Sequence, residues 1–312
     1  GDVVQEELAF GQADGPADVG VFSGRPWSPH AGIAPDVVAT MRRKIPLDFQ
    51  VSDTLLAVLA ARGVTRTGEL DHFFYPSLEH LHDPFELTEM DRAVERLFRA
   101  VRAREHVAVH GDFDVDGITG SALLSETLAA LSLGGDRVTA EPAFIPDRAV
   151  DGYGVAGRMI REWAAKGVTL LITVDTGAAA AAEISLAREL GMDVIVLDHH
   201  IFEARPDAVA LVNPRREDAT YPNGELCGVA VAFKFAQALK QTEPSCLPDD
   251  FLCSVLDLVA LGLVADQMAL VGENRILVKK GLERFNDRQT IRPRLAALLA
   301  VSGLDRGFPV TT

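Results

Sequence analysis

Residues 107–117 read VAVHGDFDVDG, residues 169–177 read TLLITVDTG, and residues 193–200 read DVIVLDHH. Each is a short continuous apolar run that ends on one or more acids. Runs of this kind, lacking polar alternation, suit strands buried on both faces. Between them, with VTAEPAF at 138–144 as a further run, lie stretches of helical spacing at 119–131, 155–166 and 178–190. The alternation predicts an α/β fold: a mainly parallel sheet with helices on both faces. Ligands of open α/β sheets bind in the crevice outside the carboxyl ends of the strands. The three acidic endings are therefore expected along one rim.

Working outward, DRAVERLFRAVRAR at 91–104 places Ala93, Val94, Leu97, Phe98 and Val101 on one helical face. Before it, VVATMRRKI and SDTLLAVLAARG fit short helices, with Ser52 as a start signal and Gly63 as a stop. This predicts a small helical unit over 36–90, followed by the α/β domain over 91–285. Residues 1–35, rich in Gly, Pro, Asp and Ala with little periodicity, read as a mobile leader. Residues 250–283 read as helical, and LDLVALGLVAD puts Asp266 near a helix end.

At 312 residues, 48% hydrophobic and 24% charged, the composition is that of a folded protein with a substantial core. Lys and Arg total 30 against 45 Asp and Glu, a formal charge of −15. Such a chain repels nucleic acid at long range, so any nucleic-acid chemistry must be local or metal-assisted. The three cysteines, Cys227, Cys246 and Cys253, match neither a zinc ribbon nor a paired disulfide framework, and a reducing, cytoplasmic setting is expected. No apolar run reaches about 18 residues and no cleavable signal pattern is present, so neither membrane insertion nor secretion is expected.

In His110-Gly111-Asp112-Phe113-Asp114-Val115-Asp116-Gly117 three acids alternate, and a curled loop can bring them around a cation. Mg²⁺ and Mn²⁺ favour such oxygen donors, and Mn²⁺ also accepts imidazole. An EF-hand loop opens the same way, but its twelfth position would be Leu123 instead of a bidentate Glu, and a strand-like run precedes it. A solvated acidic turn is the plain alternative. Asp175, before Thr176-Gly177, is either a site residue or a cap for the helix that follows. Asp198-His199-His200 is harder to explain structurally, because two imidazoles and a carboxylate at the end of a buried strand are costly without a role as ligand, proton shuttle or phosphate contact. Asp266, in an apolar stretch, needs a cation or donor partner unless it only closes a helix. Arg148 with Asp151-Gly152-Tyr153-Gly154 can set a guanidinium beside a phosphate, although an ordinary connecting loop explains the glycines equally well. Cys227-Gly228 precedes the helical run VAVAFKFAQAL, and a buried structural thiol is expected there because no base is identifiable nearby.

Taken together and in order, HGDFDVDG, VDTG, DHH and LGLVAD resemble motifs I to IV of the DHH phosphoesterase superfamily. Within it the chain is most similar to RecJ-type single-strand-specific exonucleases, from about Arg25 to Thr312. The supporting stretches are FFYPSLEHLHDPFELTEMDRAVERL, IPDRAVDGYGV, LVNPRREDATYP, ELCGVAVAFKFAQAL and VGENRILVKKGLERF. The resemblance implies two Mn²⁺ or Mg²⁺ ions held by Asp114, Asp116, Asp175, His199 and Asp266, with His110 as a further ligand by analogy with superfamily pyrophosphatases. It makes Asp175 the bridging ligand and Asp112 and Asp198 supporting acids. His200 would contact the scissile phosphate or protonate the leaving oxygen. The implied activity is 5′-to-3′ digestion of single-stranded DNA in repair and recombination. Two departures bear on the surroundings of the ligands: Asp-Thr-Gly-Ala stands where the family usually has Asp-Asn-Gly-Ile, and Gln267-Met268-Ala269-Leu270 replaces Val-Val-Pro-Leu. By the same resemblance, residues 286–312 begin a helical linker to a DHH-associated domain that the sequence does not contain. The alternatives are a phosphodiesterase for short RNA or cyclic dinucleotides, a pyrophosphatase, and a metal-binding but non-catalytic DNA-replication module.

Overall fold

The computed structural model describes residues 21–22, 25–26, 34–45, 51–287, 289–304 and 309–311. Most of the expected leader lies outside these residues; within it, β1 (Val21–Phe22) pairs antiparallel with β2 (Arg25–Pro26). The chain divides into two compact units at Pro76/Ser77.

The first unit holds α1 (Pro35–Lys44), α2 (Asp53–Ala61) and α3 (Thr67–Phe74). Its apolar cluster is Met41, Ile45, Val51, Leu56, Leu59, Ala60 and Leu70. Ser52 caps α2, its hydroxyl accepting the Leu55 N–H at 3.2 Å, and Gly63 follows the helix at φ +79°, the left-handed conformation that closes helices.

The second unit begins earlier than the expected boundary near residue 90. Residues 77–90 belong to it because their backbone is held by buried charge: Lys234 Nζ donates to His82 O at 2.6 Å, and the His82 N–H donates to Glu273 Oε1 at 2.9 Å. After α4 (Met90–Ala103) the chain enters β3 (His106–Gly111), α5 (Val115–Ala130), β4 (Thr139–Ala140), α6 (Gly157–Ala165), β5 (Leu170–Val174), α7 (Ala181–Glu189), β6 (Asp193–Leu197) and β7 (Ala210–Val212). The strands form one parallel sheet in the order β4-β3-β5-β6-β7. There follow α8 (Gly228–Thr242), the short α9 (Phe251–Ser254), α10 (Leu256–Ala265), α11 (Gly272–Asn286) and α12 (Pro293–Val301).

Alternate residues of each strand serve opposite faces. Val107, Val109, Leu170, Ile172, Ile195 and Leu197 join the large core under α4, α5, α8 and α10, whereas Ala108, Leu171, Val194 and Val196 join the smaller core under α6 and α7. The sheet is thus covered on both sides, which is why its strands carry no polar residues in their interiors beyond His110 and Thr173. The direction of winding reverses between β3 and β5, and a crevice opens at their carboxyl ends at such a switch point. The expected linker residues 286–312 begin with a docked helix: Arg292, just before α12, donates from Nε to both carboxylate oxygens of buried Asp257 at 3.0 Å. No helix of the described residues is long and apolar enough to cross a membrane.

Candidate metal centre

At the switch point β3 ends and the chain turns through Asp112 into α5, with Asp114 as the N-cap accepting the Gly117 N–H at 3.0 Å. Asp116, in the first turn of α5, is buried, and its two carboxylate oxygens accept the N–H groups of Gly228 at 2.6 Å and Val229 at 2.9 Å. These are the opening donors of α8, whose positive end favours a carboxylate. The contact requires glycine at 228, since a Cβ there would stand 2.5 Å from Asp175 Cβ and 3.0 Å from Asp116 Oδ2. Gly262 in α10 is constrained alike, a Cβ falling 2.9 Å from Asp116 Oδ1.

Asp175 leaves β5 in the left-handed region at φ 59°, its N–H donating to Leu197 O at 2.9 Å. It does not cap the next helix, which starts at Ala181. Its carboxylate faces His199, with Oδ1 3.1 Å from Nε2. The same nitrogen lies 3.8 Å from Asp116 Oδ2 and 3.7 Å from Asp266 Oδ2. Asp266 reaches this point from the C-cap of α10. One imidazole nitrogen is therefore ringed by three carboxylates from three separate elements. On the other side of Asp175, ligand atoms of Asp112, Asp114 and Asp175 lie within 4.8 Å of one another.

Asp198 plays a different part. Its Oδ1 accepts the His199 N–H at 2.7 Å, the His200 N–H at 3.2 Å and His200 Nδ1 at 2.8 Å, while Oδ2 accepts the Ala178 N–H at 2.8 Å. Burial would raise its pKa, but these donors, His200 foremost, hold it below the usual carboxylate range. In return Asp198 lifts the pKa of His200. Asp198 thus aims the His200 imidazole through Nδ1 and fixes the His199 backbone through its N–H.

The remaining charge is unbalanced. Burial, together with the charges of Asp116, Asp114 and Asp198, pushes the Asp175 carboxyl up to about 12. Burial raises Asp112 and Asp266 as well. Asp112 Oδ1 is buried without a hydrogen-bond partner among the described residues, and there no Lys or Arg pairs with any of these acids. A buried, unpaired carboxylate cluster of this kind is stable as an anion only around cations. Oxygen donors with one imidazole fit Mn²⁺ or Mg²⁺.

Two expectations change. His110 does not join the cluster: it follows Ala108 onto the α6 and α7 face, packs edge-on against Phe144 and Trp163, and accepts the Ala156 N–H through Nε2 at 2.9 Å. Burial lowers its pKa to about 4, so it is a neutral packing residue. Asp112, expected only to support the site, stands among the candidate ligands. The Arg148 guanidinium stands 5.3 Å over the ring of Phe113, which lies between Asp112 and Asp114 in the chain, and Tyr153 meets that ring edge-on at 5.8 Å.

The model of the DHH family, N-terminal domain, matches residues 106–263. The chain belongs to the DHH family. The match begins at β3 and runs to Leu263, three residues short of Asp266, so it takes in all the other acids of the centre. Among curated proteins, this DHH chain is 38% identical over 260 residues to the single-stranded-DNA-specific exonuclease RecJ of Bacillus subtilis (strain 168), covering 83% of this chain and 31% of that protein. A crystal structure of exonuclease RecJ bound to manganese is similar at 33% identity and TM-score 0.61, over 73% of this chain and 54% of that one. RecJ of Thermus thermophilus in complex with Mg²⁺ is similar at 27% identity and TM-score 0.58, over 87% and 33%. The chain spans less than half the length of the curated RecJ relatives it matches.

Proposed function

We propose that this chain is the catalytic core of a metal-dependent phosphodiesterase of RecJ type, which removes nucleotides from the 5′ end of single-stranded DNA in repair and recombination in the cytoplasm. The observation that carries it is the pair of donor sets sharing Asp175: Asp112 and Asp114 on one side, Asp116, His199 and Asp266 on the other. Similarity to RecJ proteins solved with Mn²⁺ and Mg²⁺ supports the same assignment.

When bound, a pair of divalent cations neutralises phosphate oxygens and acidifies a water for in-line attack. The chain's own residues do the rest. Asp175 and Asp116 fix the two donor sets relative to the β5 end and the start of α8. His200 is aimed through Nδ1 by Asp198, which leaves Nε2 to donate a proton to the leaving oxygen. The hydrogen bond to Asp198 raises the pKa of that imidazole and so favours its protonated form. Arg148 is a phosphate contact and, with Phe113 and Tyr153, offers a cationic and aromatic lip to a strand that the overall charge of −15 would repel.

The test is Mn²⁺-dependent hydrolysis of 5′-labelled single-stranded DNA by this chain and by Asp175→Ala, beside duplex DNA and dinucleotides. The proposal expects product from the single strand with the unaltered chain and none with the variant. Equal rates for both would remove Asp175 from the mechanism. Preference for dinucleotides would assign the site to short-oligonucleotide hydrolysis instead.

A further inference from the structure

Cys227 is the residue of this wall that the two-cation scheme leaves unused. It is the N-cap of α8, fully buried, and its Sγ and one oxygen each of Asp116 and Asp266 all lie within 4.8 Å of one another. Those two carboxylates are the ones that face His199 Nε2 at 3.8 and 3.7 Å. His199 is itself 5% exposed, and its other nitrogen, Nδ1, has no hydrogen-bond partner among the described residues. Sulfur and two oxygen donors therefore border one small volume, and the same two carboxylates face His199 Nε2.

Donor type decides what such a volume prefers. Asp112, Asp114 and Asp175 offer oxygen alone, the set for hard, octahedral ions. Adding a thiolate to imidazole and carboxylate produces a mixed set suited to borderline and soft ions that accept four ligands. We propose that Cys227 is a further ligand at the Asp116–His199–Asp266 end of the centre, giving that end a preference for thiophilic divalent ions such as Zn²⁺, Cd²⁺ and Co²⁺. The inference rests on the metal-centre reading above and assigns different ion classes to its two ends.

The chemistry balances simply: the cation takes the sulfur lone pair, and the thiol proton leaves to solvent. Burial and the adjacent carboxylate of Asp116 push the thiol pKa up. A thiol here thus differs from Cys246, whose surroundings hold Lys240 and Glu243 and, among the described residues, no candidate ligand set.

The experiment is titration of the metal-free chain with Co²⁺, followed by visible d–d absorption for occupancy and by the near-ultraviolet sulfur-to-cobalt band for thiolate ligation. Cys227→Ser and Cys227→Ala are measured in parallel, with Cd²⁺ and Mg²⁺ affinities by calorimetry. Serine is a favoured N-cap, so the first variant keeps the start of α8, and the second removes any oxygen donor. The expected result is both bands in the unaltered chain and only d–d absorption in the variants. Cd²⁺ affinity should fall about tenfold or more while Mg²⁺ affinity changes by less than about twofold. Cobalt bound without the sulfur band, or a sulfur band surviving in the variants, would overturn the role of Cys227 while leaving the metal centre intact. No occupancy by any cation would overturn both.

Discussion

Asp175 combines a left-handed backbone, near-complete burial and three neighbouring carboxylates, and this combination makes its protonation a property of the folded state. Its carboxyl is pushed up to about 12 in the metal-free fold, against about 3.9 for an unfolded aspartate. Below the unfolded value both states carry the proton. Above it only the fold does, so unfolding releases a proton and rising pH costs stability. Measured as a denaturant midpoint between pH 7 and 9, the metal-free chain should lose stability relative to Asp175→Asn by at most about 1.4 kcal/mol per pH unit. Saturating Mn²⁺ should abolish the difference in slope, since the cation replaces the proton. Parallel profiles for the two metal-free proteins would mean that Asp175 is ionised without a cation. The acids themselves were legible in the sequence because each stands where an apolar run stops. The exchange of roles between His110 and Asp112 was not. It depends on which face the last residues of β3 point to, and a continuous apolar run carries no alternation to reveal that.

Elements place these residues, and one side chain ties two of the placing elements together. Asn274, fully buried in the first turn of α11, donates from Nδ2 to Glu225 O at 2.6 Å and to Ala269 O at 3.1 Å, while its Oδ1 accepts Asn223 Nδ2 at 3.1 Å. The first carbonyl lies just before the Gly228 and Val229 donors that clamp Asp116, the second just after Asp266. Asn274→Asp keeps the shape but turns a carboxylate oxygen towards two carbonyls, at a cost on the order of 1–3 kcal/mol. Mn²⁺ affinity by calorimetry should fall about tenfold, because Asp116 and Asp266 are loosened together. Unchanged affinity in a folded variant would show that the two segments are fixed independently of Asn274. Element order was largely readable, as buried strands and helical spacings alternate visibly. One short strand was not, and another is shorter than its run. β7 has three residues, too few to show a pattern, and is held by Glu89 accepting the Leu211 N–H at 2.7 Å. VTAEPAF shrinks to the two residues of β4, since Pro142 has no N–H for a ladder.

On the scale of the molecule, the fold turns a strongly acidic composition into a local instrument. A parallel sheet buried on both faces cannot accept carboxylates in its interior, so they collect at its rim, where the winding reverses and three strand ends and three helix ends meet. Asp175 is common to both donor sets, and the spacing between them is set by the β3–β5 pairing, in which Gly111 stands beside Val174. The most direct measurement is anomalous diffraction at the manganese edge from crystals of this chain grown with Mn²⁺. Two peaks flanking the Asp175 carboxylate are predicted, one towards Asp112 and Asp114 and one towards Asp116, His199 and Asp266. Peaks elsewhere on the molecule, or none within coordination distance of Asp175, would contradict the account.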